Sequence, residues 1–159
     1  MNSNEIMLKI ILDRWYGAIK SCDNLINSLS DEQLLEEIAP HKNRGIYLLG
    51  HLIAVHDDML ILLNLGEKMY PALHVPFITS PDKVVAEIPS VKELRTYWSH
   101  QCAEMKLKFD GLKPAEWLEK HTAVSDEDFK NEPHRNKLNI IVTRTTHLTY
   151  HTGQLVLLK

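Results

Sequence analysis

A chain of 159 residues, 44% hydrophobic and 25% charged, has room for one ordinary domain with a sizeable core. Its formal net charge of −3 removes any electrostatic case for nucleic acid or an anionic membrane surface as a partner. No apolar run reaches the roughly 18 residues a bilayer span requires, Met1–Glu5 has neither the basic start nor the apolar stretch of a secretion signal, and Cys22 and Cys102 build no disulfide framework, so the expected compartment is a reducing cytoplasm.

Residues 4–29 predict a first helix, with Ile6, Ile10, Ile19, Leu25 and Ile26 at helical spacing. Trp15 and Tyr16 fall mid-helix and are expected in the core. Ser30-Asp31-Glu32-Gln33 reads as a capping box, a hydroxyl at N-cap and Gln at N3. It opens a short helix that Pro40 stops.

Residues 46–63 are the most apolar stretch, and Gly66 suits the position just past their C-terminus. On a helical wheel His51 lies inside the apolar stripe of Leu48, Val55, Met59 and Leu62. Asp58 shares that face but stands about 10 Å further along the axis, which makes it a pocket group rather than an easy ligand. His56 falls about 140° away and is expected at the surface.

Residues 67–89 carry Pro71, Pro76, Pro81 and Pro89 with no sustained period. Such long connections are uncommon unless they cross a bundle or cover a site. Ser90-Val91-Lys92-Glu93 is a second capping box, opening a helix that runs to about Phe109 before Gly111. His100 on it faces no evident apolar stripe. Residues 111–137 form another connection, with a short turn expected around Pro114–Leu118 and with His121 and His134 expected in solvent.

The last helix, from Lys137, carries the chemistry. His147 and His151 stand four residues apart, about 40° around the axis and one turn up, so both imidazoles can close on one ion. Ile140, Arg144, Leu148, Leu155 and Leu158 share their arc, about 100° wide. Leu138, Val142 and Val156 lie outside it, more apolar surface than one bundle face needs, and so predict a homodimer.

These elements predict an all-α fold, a four-helix bundle of one domain over residues 1–159 with two long crossovers. Bundle cores are where facing helices place metal ligands. Three histidines in two apolar stripes need a common explanation, because an unpartnered buried polar group costs about 1–3 kcal/mol. Three histidines with an open position form a known catalytic zinc arrangement, though imidazole also suits nickel, copper and iron. The chain has no Glu-x-x-His, as a di-iron bundle requires, and no His-Glu-x-x-His. A haem bundle with two axial histidines leaves the third unused.

Leu49-Gly50-His51-Leu52 together with His147-x-x-x-His151-x-Gly153-Gln154-Leu155 resembles the DinB/YfiT-like superfamily, over essentially the whole chain. The resemblance implies an up-up-down-down bundle, often dimeric, with one divalent metal, zinc or nickel, held by three histidines that map onto His51, His147 and His151. Characterised relatives are thiol-dependent S-transferases and isomerases using low-molecular-weight bacterial thiols; most others are assigned as metal-dependent hydrolases. The function it implies here is metal- and thiol-dependent S-transfer on a small-molecule substrate. The alternatives are a metal-dependent hydrolase or a non-enzymatic metal-binding bundle of the stress response. Gln154, one turn from His151, is then a candidate to orient a ligand or a histidine. Arg144 is a candidate partner for an anionic substrate group or for an ion pair at the rim, and Asp58 is a candidate pocket group.

Overall fold

A computed structural model describes residues 2–159, among which six α-helices form and no strand does. They are α1 (Ser3–Ser28), α2 (Asp31–Leu35), α3 (Gly45–Leu62), α4 (Val91–Asp110), α5 (Asp126–Asn131) and α6 (Lys137–Leu155). Side chains start them. Asn2 accepts from the Glu5 amide at 3.0 Å, and Ser30 and Ser90 cap α2 and α4 through the two expected boxes. α3 ends in a Schellman motif, with the Leu65 amide on the Leu60 carbonyl at 2.8 Å and the Asn64 amide on Ile61 at 3.1 Å. The left-handed residue is Asn64, at φ 56°, rather than the expected Gly66 two positions on.

The four long helices form the predicted all-α bundle, but cross-contacts revise the order of their directions. Cys22 lies beside Thr152, and a groove joins Leu8 to Leu138, so α1 and α6 run side by side in the same sense. Gln101 on α4 bonds the Ile53 carbonyl and Lys108 bonds Leu65, so α3 and α4 are parallel too. Trp98 reaches Asp23 and Tyr16 reaches Asp110, setting α4 against α1. The order is therefore up-down-down-up rather than up-up-down-down. The 67–89 crossover makes this possible by carrying the chain back along α3 before α4 starts.

α3 is the hub. It packs against α2, α4, α6 and two short turns, Pro71–Leu73 and Val75–Thr79. By length and composition it is apolar enough to cross a membrane, contrary to the expectation that no stretch is; 72% of it is buried inside the bundle. This wrapping overturns another expectation. His56 is 1% exposed, its ring 5.2 Å from Trp15 and 5.4 Å from Trp98. A wheel assigns one face to solvent, whereas α3 has neighbours on nearly every side. His121 is buried as well, in a connection tied to the end of α3 by the Thr122 amide on the Leu62 carbonyl at 3.0 Å. His134 and His100 are exposed as expected, and His100 Nδ1 meets the Tyr70 hydroxyl at 2.9 Å.

Candidate metal centre

Because α3 and α6 are antiparallel, the two histidine stripes meet face to face. The Nε2 of His147 lies 3.2 Å from that of His51 and 3.1 Å from that of His151. All three rings are half-buried. Two have their outer nitrogen engaged. His51 Nδ1 donates to the Phe77 carbonyl at 2.8 Å, since a carbonyl only accepts. His151 Nδ1 donates to Gln154 Oε1 at 2.7 Å, and the Gln154 amide nitrogen donates to the Tyr150 hydroxyl at 3.3 Å. With the protons on Nδ1, both Nε2 atoms present lone pairs inward.

The Phe77 carbonyl reaches its place because the crossover is pinned along one face of α3 in three rungs. Arg44 holds Asp82 at 2.7 Å, Tyr47 donates to the Ser80 carbonyl at 2.8 Å, and His51 takes Phe77. Positions 44, 47 and 51 share a helix face. The Tyr47 ring also lies nearly parallel to that of His51, at 10° and 6.4 Å between centroids. Gly50 makes the last rung possible. Any Cβ there would overlap the fully buried Phe77 ring.

A DinB superfamily profile matches residues 14–155. The chain belongs to the DinB superfamily. Its fold is also that of a solved structure, "Crystal structure of the conserved protein of locus from Enterococcus faecalis". The two agree at a TM-score of 0.61 and 18% identity, over 98% of this chain and 94% of that one. No curated protein matches the chain.

The donor set of this DinB superfamily chain fits a metal ion. With lone pairs on His51 and His151, His147 Nε2 can offer its single proton to only one of them, and the other lone pair is left without a hydrogen. A cation between the three relieves this. Tetrahedral zinc with Zn–N bonds of about 2.0–2.1 Å sets its nitrogens about 3.3–3.4 Å apart, close to the observed 3.1 and 3.2 Å. Protonation is also suppressed. Burial, then the charges of His151, His51 and Arg144, push His147 down to about 4, and burial lowers His151 against the opposing bond to Gln154. Both are therefore neutral at pH 7, the form that binds metal.

The remaining sequence candidates divide. Gln154 touches the triad directly. Arg144 lies one turn before His147, half-buried, with no hydrogen bond or ion pair among the described residues. Asp58 is engaged by Lys68 at 2.5 Å. Sequence reasoning missed Phe77, Tyr47 and the role of Gly50. Only the Leu-Gly-His wording of α3 carried a hint of them. Two grooves of about 410 and 390 Å³, on α1 and beside it, contain no member of the triad.

Proposed function

We propose that this DinB superfamily protein binds one divalent ion, zinc or nickel, and transfers a small-molecule group onto a low-molecular-weight thiol. The reading rests on three convergent Nε2 atoms in a donor group of three. Structural zinc fills four positions with protein ligands, whereas three leave one open. A bound divalent ion supplies the charge that lowers the pKa of a thiol or water at that position, so no protein base is obligatory.

The chain's own residues do the rest. His51, His147 and His151 are neutral donors that cancel none of a cation's charge, which favours an anionic fourth ligand such as thiolate. The Phe77 carbonyl and Gln154 hold two of the rings in aim. Asp58, on the stripe of His51, is occupied by Lys68, and this favours thiol transfer over a hydrolase needing a free carboxylate base. Burial pushes the thiols of Cys22 and Cys102 up to about 11 and about 12, so the nucleophilic sulfur comes from outside the chain. A reducing cytoplasm suits that cosubstrate.

Elemental analysis of gently purified protein should find one equivalent of metal, lost when His51, His147 or His151 is changed to Ala and kept in His100→Ala. A small thiol should then alter the absorption of cobalt-substituted protein, and an electrophile should disappear only with thiol and metal together. Stoichiometric metal in the triple variant defeats the centre. Consumption of an ester without thiol moves the assignment to a hydrolase, and metal binding with neither response leaves a non-enzymatic bundle.

A further inference from the structure

Arg144, His147 and His151 fall on one stripe of α6, since steps of three and four residues return to the same face. His51 and Asp58, seven residues apart, form the matching stripe of α3. With the helices antiparallel, the end of the stripe that carries Asp58 faces the end that carries Arg144. The charges agree with this. Asp58 acts on the Arg144 guanidinium, and Arg144 acts in turn on His147 and on buried His56. The three histidines thus occupy one end of a polar seam, and two cations with one carboxylate occupy the other.

At that second end the pairing is incomplete. Asp58 is held by Lys68, whose Nζ also lies 3.4 Å from His74 Nδ1. Arg144 is left half-buried with no bonded partner among the described residues. A guanidinium carries five donors in a planar fork that matches a carboxylate. Partial burial disfavours its charged form, and desolvation lowers its pKa against the opposing charge of Asp58, which is itself bonded to Lys68. His56 adds a fully buried imidazole with both nitrogens unpartnered, but as a neutral ring it offers Arg144 no counter-charge.

We propose that Arg144 is a specificity residue that binds the carboxylate of a substrate or cosubstrate whose reacting atom lies at the histidine centre. The three-residue step from Arg144 to His147 sets the scale, about 4.5 Å along the axis. The ligand class is therefore a small monoanion with its carboxylate two to four bonds from the reacting atom. Lys68 already pairs with Asp58, so the ligand's carboxylate would be the bonded partner that Arg144 lacks. The inference rests on the three-histidine metal reading above, and it names what that centre accepts.

The test is calorimetric titration of the zinc-loaded full chain with two matched probe pairs. One pair is 3-mercaptopropionate and 3-mercaptopropanol; the other is succinate monohydroxamate and acetohydroxamate, which need no thiol chemistry. In the native chain each carboxylate probe should bind at least about tenfold tighter than its neutral partner, the strength expected of a charge-assisted bidentate pair. Arg144→Gln should abolish that ratio with zinc content and melting temperature unchanged, and Arg144→Lys should restore part of it. Equal or undetectable binding of charged and neutral probes overturns the assignment, as does a preference that survives Arg144→Gln. If the hydroxamates show the Arg144-dependent preference and the thiols do not bind, the thiol reading fails and this one stands. If the thiols bind without preference, the reverse holds.

Discussion

The ring of His51 and the backbone carbonyl of Phe77, 26 residues apart, meet at 2.8 Å, and Gly50 leaves room for the contact. A crossover that looks like a linker therefore aims a metal ligand. The Gly50→Ala change should displace the Phe77 ring at a cost of about 1–3 kcal/mol, as overpacked cores do. With the carbonyl moved off Nδ1, metal affinity should fall about 10–100-fold, the usual cost of losing such an outer partner. Chemical denaturation and a competitive chelator titration measure the two effects. Native metal affinity in Gly50→Ala would show that the Phe77 contact does not orient His51.

Gln154 plays the same part for His151 from within one helix. Gln154→Leu removes the acceptor for Nδ1–H and frees the ring to turn or change tautomer. Metal affinity should fall about tenfold or more, with little change in melting temperature because Gln154 is not buried. Gln154→Glu, which keeps the acceptor, should bind metal at least as well as the native chain. Equal chelator titrations for Leu and Gln at this position would remove Gln154 from the centre.

His56 makes the fold sensitive to acid. Burial, followed by the charges of His147, Arg144 and His51, lowers it to about 3 from its ordinary 6.5. Between those values the unfolded chain binds the proton and the folded chain does not. Stability is therefore fully present above about pH 6.5 and is lost as the pH falls, at up to about 1.4 kcal/mol per pH unit. In His56→Leu that slope should shrink, and the variant should be near-native in stability at pH 7 because both ring nitrogens lack partners. Urea titrations at pH 7 and pH 5 on metal-free protein decide it. An unchanged acid slope in His56→Leu would place the titrating group elsewhere.

A homodimer is the expected assembly. Of the apolar residues predicted outside the metal arc, Leu138 packs against the core, while Val142 and Val156 are 44% and 49% exposed. Alongside α6, α1 exposes Ile6 and Ile10. A partner covering both helices would bury this surface, and Val142→Glu with Val156→Glu should then give a monomer by light scattering at micromolar concentration. A monomeric native chain at those concentrations would exclude the assembly.

Much of this protein was legible locally. The capping boxes at Ser30 and Ser90 and the apolar stripes of α3 and α6 depend on residues within a turn or two of one another, so periodicity alone determined four long helices. It also put His51, His147 and His151 on inward faces. The Phe77 carbonyl beside His51, the burial of His56 between two tryptophans and the parallel course of α3 and α4 were decided by tertiary structure. Each depends on where a segment tens of residues away comes to rest, and that is set by side-chain packing such as the space left at Gly50. A helical wheel assumes one solvent face, and α3, wrapped on nearly every side, leaves His56 none.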